Sequence, residues 1–356
     1  RISLYGETLR FNMADGFPLV TSRKVPYKAA LKEMLWFISG SCSTLDLQNQ
    51  NVHIWDQWAV KEQNIQDFMS KIVRPEDDLS DVDNFRMYLQ ERYLGSIGEM
   101  YGYNWRNWPS ASSFDFAPPV TVDMFAPDKI DDLKNRVIPM VEHEAKNIYQ
   151  QILLQDPSFQ IKEDEFIATE VQKKLNYHYY NNIDQLNELV RTLREMPYGS
   201  RHVMSVWRPD MVPFMKMSPE ENVLRGRGAL APCHILVQCH VVPPEPGHKP
   251  KLILQLYQRS ADFPIGSVFN IAQYAFLLHL LARTLGYEPY ELIYNLGDVH
   301  IYKNQVEMVK EHLKRPCHTL PKLHLAERVT TLFNVGVDDF ELVDYQHEAP
   351  IVYPIS

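Results

Sequence analysis

The sequence has few cysteines, and none has the spacing of a disulfide framework or a structural metal site. Four cysteines stand far apart in the 356 residues, without a Cys-X-X-Cys pair: Cys42, Cys233, Cys239 and Cys317. Two His or Cys pairs come nearest to a ligand set, and both lack the spacing of a zinc motif: His234 with His240, and Cys317 with His318. We therefore expect no metal, and a reducing compartment such as the cytoplasm.

The chain also lacks excess positive charge and a long apolar run. The formal net charge is −9, so the whole molecule attracts neither nucleic acid nor an anionic membrane. The most apolar run, 269–282, is interrupted by Gln273 and His279 and is shorter than the roughly 20 residues of a spanning helix. We expect no membrane, no required nucleic acid, and a local group of cations wherever an anion binds. The sequence begins without methionine or a signal-peptide pattern, and we expect natural residues before Arg1.

Apolar residues make up 45% of the chain, which is enough for a large core, and they follow both strand and helix periodicity. The predicted elements are strands at 2–12, 201–207, 234–242, 251–258 and 292–296, and helices at 27–37, 183–194 and 270–285. Apolar residues occupy nearly every side of the last helix, which predicts that it lies buried in the centre of the domain.

Two charged, helix-compatible stretches interrupt this pattern, at about 60–94 and 110–178. We interpret the chain as a single catalytic domain, 1–356, that carries these stretches as insertions. Residues 98–109 are aromatic and punctuated by glycine, which favours a pocket-lining loop over a regular element. Residues 224–228, with two arginines and two glycines, are predicted to form a mobile loop.

Cys233 follows a proline at the start of one predicted strand, and Arg259 and Ser260 end the next. A free thiol has a pKa of about 8.5, and a neighbouring guanidinium lowers it enough to populate thiolate near neutrality. The same guanidinium can bind phosphate through its planar fork. The alternatives at this point are a buried structural thiol and an arginine that is only surface charge. For Glu33, inside the first predicted helix, the alternative is a solvated carboxylate.

Many ordered blocks of the sequence resemble the thymidylate synthase family, and the resemblance covers most of the chain outside the insertions. The matching residues are 10–12, 15–21, 33, 35–37, 54–56, 58, 230–234, 255–260, 262, 269–272, 274–275, 297–298, 300 and 302. The resemblance implies an α/β (α+β) fold with a mixed, kinked sheet flanked by helices, packed back to back in an obligate homodimer.

The resemblance also implies a reaction. The Cys233 thiolate adds to C6 of a pyrimidine nucleotide, which makes C5 nucleophilic toward the methylene group of the co-substrate 5,10-methylenetetrahydrofolate. Glu33 organises water and proton transfers, and Tyr101 matches the tyrosine implicated in removing the C5 proton. The full set of catalytic residues that the resemblance assigns is Cys233, Glu33, Tyr101, Arg259, Asp262 and Asn270.

Binding residues are implied in the same way. Those for the nucleotide are Arg201 from the partner subunit, Arg259 and Ser260 at the 5′-phosphate, Asn270 at the base, His300 and Tyr302 at the 3′-hydroxyl, and Gln258. Those for the folate are Trp55, Trp58, Leu230, Asp262 and Gly266.

Asn270 bears on the choice of base. In the family an asparagine here pairs with the N3-H and O4 edge of uracil, whereas cytosine-specific relatives have aspartate. Cytosine presents an amino donor and a bare N3 acceptor, so the wrong base leaves buried polar groups unpaired. We therefore predict dUMP over dCMP as the substrate.

The chain departs from the family pattern at several positions. Arg201-His202 replaces two adjacent arginines, Trp207-Arg208-Pro209 replaces the usual Trp-Asn, and Val268 replaces a proline. The Arg-Pro pair is similar to that of phage deoxycytidylate hydroxymethylases. The departures favour a deoxyuridylate hydroxymethylase, in which water adds to the C5 methylene and gives 5-hydroxymethyl-dUMP for modified viral DNA. That reading also implies a phage gene and the host cytoplasm.

Two alternatives remain open. The first is thymidylate synthase itself, in which hydride from the folate gives dTMP and dihydrofolate. The second is a catalytically silent member that binds nucleotide or a partner. The first two readings share every step up to the C5 methylene, and they differ in whether the closed site excludes water.

Overall fold

The computed structural model describes residues 1–74, 77–109, 119–155 and 160–355. Within them the chain divides into two compact units, one formed by 1–105 with 189–356 and the other by 106–188. Most of the predicted insertion at 110–178 is described and lies in the second unit, whereas its residues 110–118 and 156–159 fall outside the described residues. The interpretation of the chain as one domain with two insertions stays a prediction.

The described strands form one five-stranded sheet and two short two-stranded sheets. They are β1 (Ile2–Asn12), β2 (Trp108–Pro109), β3 (Asn182–Ile183), β4 (Val203–Ser205), β5 (His234–Val242), β6 (Lys251–Asp262), β7 (Glu288–Ile301), β8 (Lys322–Leu325) and β9 (Phe340–Val343). The large sheet has the order β1-β7-β6-β5-β4, and β2 pairs with β3 and β8 with β9.

The large sheet is mixed, because β6 and β7 run parallel while the other neighbouring pairs are antiparallel. The register of β5 against β6 shifts between His234 and Leu236, which is a bulge at the start of β5. Bulges bend a strand and re-aim the side chains beside them. The predicted mixed sheet flanked by helices is confirmed.

The helices of the described residues are α1 (Tyr27–Ser39), α2 (Leu45–Gln48), α3 (Glu62–Ile72), α4 (Leu79–Tyr93), α5 (Tyr101–Arg106), α6 (Pro127–Asp132), α7 (Ile138–Gln155), α8 (Glu163–Asn181), α9 (Gln185–Glu195), α10 (Pro219–Leu224), α11 (Val268–Leu285) and α12 (Val306–His312). Short π-helical turns precede α7 and α11, at Leu133–Val137 and Phe263–Ser267.

Helix α11 is the core of the first unit, as its apolar sequence predicts. Its residues from Ile271 to Leu278 are all buried, and it packs against α1, β6 and β7. It ends at Gly286, whose left-handed backbone suits glycine. Among the described residues the run Phe263–Leu285 alone has the length and hydropathy of a membrane span, but 72% of its most apolar window is buried inside the protein. It is a core helix.

The structure corrects several sequence predictions. Residues 101–106 form the helix α5, although the glycines and aromatics of 98–109 favoured a loop. The strand predicted at 201–207 is confined to Val203–Ser205, and the strand predicted at 292–296 extends over Glu288–Ile301. Pairing with long neighbours on both sides extends β7 well beyond the part that alternation alone reveals.

The second unit has its own small core, formed by Val120, Phe125, Leu133, Val137, Val141 and Leu175. The guanidinium of Arg106, whose side chain is 1% exposed, lies 2.8 Å from Asp128 and 2.9 Å from Asp184. Two carboxylates therefore neutralise one buried cation. A cavity of about 500 Å³ lies within this unit, and its lining includes none of the predicted site residues.

Candidate active site

Five predicted site residues lie at the same end of the neighbouring strands β5, β6 and β7: Cys233, Arg259, Ser260, Asp262 and His300. Cys233 immediately precedes β5, and the backbone N–H of Arg259 donates to its carbonyl oxygen at 2.8 Å. The parallel register of β6 and β7 places Ser260 opposite Asp298 and Asp262 opposite His300. The carboxyl ends of two parallel strands thus meet the amino end of β5, which is where ligands bind in many sheets of this kind.

Arg259 holds the segment that carries Cys233. Its Nε and one terminal nitrogen donate to the carbonyl oxygens of Pro232 and Ala231, each at 2.8 Å. The guanidinium also lies 5.6 Å from the ring centroid of Trp207, within cation–π range. Two bonds to one backbone segment fix the Cys233 turn, and the remaining N–H groups of the fork are the donors that a phosphate would use.

The Cys233 thiol is half-buried, and its surroundings oppose ionisation. Burial raises its pKa above the ordinary value, and the positive charge of Arg259 and a hydrogen bond with Tyr101 offset only part of that rise. The net direction of the Cys233 pKa shift is therefore opposite to the one expected from the guanidinium alone, because desolvation outweighs it.

Tyr101 contacts the nucleophile through the backbone. The N–H of Cys233 donates to its hydroxyl oxygen at 3.0 Å, and its ring stacks on His234 with centroids 4.2 Å apart. Burial raises the pKa of Tyr101 well above 10, so it is a neutral phenol. Its φ of +32° is in a region that non-glycine residues rarely adopt, and such strain occurs most often at functional sites.

Gly102 explains how α5 reaches this position. A Cβ at Gly102 would lie 2.1 Å from the carbonyl oxygen of Phe37 in α1. Only a residue without a side chain allows the two backbones to come so close, and the ring of Phe37 then stacks on Tyr101 at 5.1 Å.

Glu33 is a buried carboxyl, 7% exposed, and not the solvated carboxylate that was its alternative. The indole N–H of Trp55 donates to its Oε1 at 2.6 Å, and the Gln273 amide N–H donates to its Oε2 at 2.5 Å. Burial raises its pKa to about 7, and these two bonds limit the rise. A carboxyl that titrates near neutrality can both accept and release a proton.

A second bond of Gln273 extends this network to Asn270. The Asn270 amino group donates to the carbonyl oxygen of Gln273 at 3.0 Å. Asn270 lies in the first turn of α11, and Gly266 in the preceding π-helical turn lies close to it, since a Cβ there would be 3.7 Å from Asn270 Oδ1. Trp55, Glu33, Gln273 and Asn270 therefore form one hydrogen-bonded chain.

Asp262 ends β6 beside the C-terminal segment. The side-chain amide of Gln305, which is fully buried, donates to Asp262 at 3.2 Å and to the carbonyl oxygen of Pro354 at 3.1 Å. Tyr353 is buried, and Arg23 lies over its ring at 5.0 Å. The C-terminal segment is thus held next to Asp262 through Tyr353 and Pro354. Ser356 lies outside the described residues.

His300 and Tyr302 lie at the end of β7 with rings 5.2 Å apart. His300 is buried, and its Nδ1 lies 3.4 Å from Oδ1 of Asp298. Neither atom forms a hydrogen bond within the described residues. Gln258 is buried and accepts a bond from the hydroxyl of Tyr294 at 2.6 Å. Two buried polar atoms that face each other without a hydrogen bond can each bond to a hydroxyl-bearing ligand at this end of the strands.

The residues predicted for the folate side are only partly grouped. Trp55 packs against Tyr101 and Trp58 with ring centroids 5.7 Å and 5.4 Å away. Leu230 is half-buried, three residues before Cys233. Aromatic faces beside a carboxylate are suitable for stacking a flat heterocycle.

Arg201 lies far from Cys233 within the chain. Val203 pairs with Gln238, so Arg201 lies near the opposite end of β5, about 20 Å from Cys233 at roughly 3.3 Å per residue. Arg201 is exposed, whereas His202 is buried, with Nδ1 3.2 Å from the hydroxyl of Thr192. His202 therefore points into the core and does not act as a second surface cation.

Sequence reasoning missed Gln273 and Gln305, which bond to three predicted site residues. The available signal was a glutamine within an otherwise apolar helix, since a fully buried amide needs partners. Within the described ranges no group of three His, Cys, Asp or Glu side chains is placed to hold a metal ion.

Comparison with known proteins gives one consistent family. The model of the family described as thymidylate synthase matches residues 1–356. A thymidylate synthase of Leuconostoc mesenteroides is 32% identical over 362 aligned positions, covering 99% of this chain and 90% of the relative. One of Listeria monocytogenes is 30% identical over 373 positions, covering 100% and 91%. One of Listeria innocua is 29% identical over 373 positions, with the same coverage.

Proposed function

Because the chain belongs to the thymidylate synthase family of folate-dependent enzymes, we propose that it methylates dUMP at C5 with 5,10-methylenetetrahydrofolate, giving dTMP and dihydrofolate. The observation that carries this proposal is the meeting of Cys233, Tyr101 and Arg259 at one sheet edge. A nucleophile, a phenol and an anion-binding fork are the groups that this covalent reaction requires.

The reaction begins at Cys233. As Sγ approaches C6 the thiol releases its proton to water, and the positive charge of Arg259 favours the thiolate. Sγ forms a bond to C6, and the C5=C6 electron pair moves toward C5 and O4. Asn270 donates an N–H to O4 and accepts from N3-H, which stabilises the charge on the base.

Glu33 and Tyr101 then serve the proton transfers. C5 forms a bond to the methylene carbon of the folate as the bond from that carbon to N10 breaks. The C5 proton then leaves to a water held by the neutral phenol of Tyr101, and the bond from the same carbon to N5 breaks, which leaves a methylene group on C5 and tetrahydrofolate. Glu33, with a pKa of about 7, exchanges protons with water near O4. Transfer of hydride from the folate to the C5 methylene completes the methyl group, and elimination of Cys233 restores the C5=C6 double bond. Carbon, hydride and proton are all accounted for in dTMP and dihydrofolate.

The named relatives favour the methyl product. The departures from the family pattern had instead favoured the hydroxymethyl product. The relatives in three species are all named thymidylate synthase. The departures also have local structural partners, because His202 bonds to Thr192 and the buried Arg208 bonds to Asn104 and Asp210 at 3.1 Å and 2.6 Å. Neither residue is among the groups that contact Cys233. A phage origin and a cytoplasmic location stay predictions.

A homodimer completes the phosphate site. Proteins of the family are typically dimeric, and here the face of β6 opposite the helices carries the half-buried Ile253, Gln255 and Tyr257. Pairing of that face with a second copy would bring the partner's exposed arginine at position 201 to the phosphate beside Arg259. A symmetric interface of this kind supplies each site with one residue from the other subunit.

Product analysis tests the proposal. The protein is incubated with dUMP and methylenetetrahydrofolate, and the formation of dihydrofolate is followed by its absorbance. The mass of the nucleotide product is then measured by mass spectrometry. We expect dTMP and dihydrofolate in equal amounts. A hydroxymethyl nucleotide without dihydrofolate would establish the other branch, and binding without turnover would favour the silent reading. Cys233→Ser should reduce kcat by more than about a thousandfold.

A further inference from the structure

Gln273 is an unusual residue for its position. It is 0% exposed in α11, between Ala272 and Tyr274 in the most apolar part of the chain. Glutamine is seldom fully buried, and an amide that lost its partners there would cost free energy. Both ends of this amide are bonded, one to Glu33 and the other to Asn270.

The direction of these hydrogen bonds follows from Trp55, the first residue of the hydrogen-bonded series. The indole of Trp55 can only donate, so Oε1 of Glu33 accepts. The ionised carboxylate accepts on Oε2 as well, so the amino end of the Gln273 amide faces Glu33. Its carbonyl end then faces Asn270, and the Asn270 amide must present its amino end in return.

The orientation of the Asn270 amide decides which base it matches. Its two orientations differ by a 180° rotation that exchanges the carbonyl oxygen and the amino group. Uracil offers a donor at N3 and an acceptor at position 4, whereas cytosine offers an acceptor at N3 and a donor at position 4. One orientation therefore complements uracil, and the other complements cytosine.

Resting on the function proposed above, the geometry assigns to Gln273 the part of a positioning residue for base choice: held by Glu33, its amide fixes Asn270 in the orientation that accepts uracil and rejects cytosine. Without the bond to Gln273, the Asn270 amide could rotate between the orientation that matches uracil and the one that matches cytosine. Selectivity for dUMP thus depends on the bonded chain that runs from Trp55 to Asn270.

A direct consequence concerns Glu33. In Glu33→Gln, Trp55 still donates to a carbonyl oxygen, so the new amino group faces Gln273. Gln273 must then rotate to accept, and its own amino group turns toward Asn270. Asn270 rotates in response and presents the cytosine pattern.

The test measures binding without chemistry. Dissociation constants for dUMP and dCMP are determined by calorimetry in the absence of folate, for the full-length wild type, Gln273→Met and Gln305→Met. Methionine keeps the length of glutamine and removes both hydrogen-bonding ends. We expect Gln273→Met to reduce the dUMP preference about tenfold or more, the loss of one such bond. Gln305→Met, the same change at an equally buried glutamine beside Asp262, should leave the preference unchanged.

Two further variants make the test specific. Gln273→Glu keeps an acceptor oxygen for Asn270 and shares a proton with Glu33, and we expect it to retain the dUMP preference. Glu33→Gln should weaken dUMP binding and strengthen dCMP binding. If Gln273→Met shows no cooperative thermal unfolding and is therefore not folded, these two variants test the inference without it.

The outcomes separate this inference from the proposed function. The positioning role would be overturned if Gln273→Met kept the wild-type preference for dUMP over dCMP. It would also be overturned if Gln273→Glu lost as much of that preference as Gln273→Met. Either result would leave dUMP as the substrate. A wild-type protein that binds neither nucleotide would overturn the proposed function itself.

Discussion

At the scale of the residue, Glu33 has a raised pKa that makes the stability of the protein depend on pH. The unfolded chain has an ordinary glutamate with a pKa of about 4.5, whereas burial raises the pKa of the folded residue to about 7. The neutral acid therefore favours the folded state at low pH. That contribution is fully present below about pH 4.5 and is lost as the pH rises through 7, where ionising the buried group has its full cost.

The stability of Glu33→Gln tests this account. Glutamine stays neutral at every pH, so the free energy of unfolding of the variant minus that of the wild type should increase by up to about 3 kcal/mol between pH 4.5 and 8. Urea unfolding at a series of pH values measures the difference. A constant difference over that range would show that Glu33 ionises as it does in water.

The sequence predicted most of these residues but not their environments. Cys233, Arg259 and Glu33 were identified because the motifs around them match a family. The net direction of the Cys233 pKa was missed, because desolvation depends on how deeply the thiol lies and no local pattern records that. Gln273 was missed because the partner that holds its amide, Glu33, is 240 residues away in the sequence.

At the scale of the element, the contact between α1 and α5 determines where Tyr101 lies. The prediction of a loop at 98–109 failed because glycines there indicate flexibility in isolation. In the structure Gly102 instead permits the backbone of α5 to approach Phe37. Strand alternation located β5 at its observed bounds, since both neighbours in the sheet leave one face buried.

Gly102→Ala should displace α5. The added methyl group would overlap the Phe37 carbonyl oxygen, so we expect a loss of about 3 kcal/mol in unfolding free energy together with reduced turnover. Chemical denaturation and initial rates measure the two effects. Gly336→Ala is the matched control, because its Cβ would meet nothing closer than 3.7 Å. Equal stability of the two variants would contradict the close approach.

At the scale of the whole molecule, the separation of Arg201 from Cys233 means that the proposed role of Arg201 at the phosphate depends on a second copy of the chain. Arg201 precedes β4 near the far end of β5, and Cys233 precedes β5, so the two side chains do not meet at one phosphate within a single chain. The sequence resemblance implied this arrangement, and the exposed Arg201 beside a buried His202 is consistent with it. The geometry of the insertion at 110–178 could not be predicted from the sequence, because none of the motifs on which the resemblance rested lies within it.

Mixing two inactive variants tests the shared site. Arg201→Glu and Cys233→Ser should each be inactive, and a re-equilibrated equal mixture should recover about a quarter of wild-type activity, because each mixed dimer has one intact site. Initial rates before and after subunit exchange measure the recovery. Continued inactivity of a mixture shown to contain mixed dimers would place both residues in the same subunit's site.

The most direct test of the account is to trap the Cys233 adduct. With 5-fluoro-dUMP and methylenetetrahydrofolate, the reaction should stop at the covalent stage because fluorine replaces the C5 proton and cannot leave as one. Peptide mass mapping should then find nucleotide and folate together on Cys233, and on none of Cys42, Cys239 and Cys317. Product formation from dUMP with no adduct on Cys233, or an adduct on another cysteine, would contradict the account.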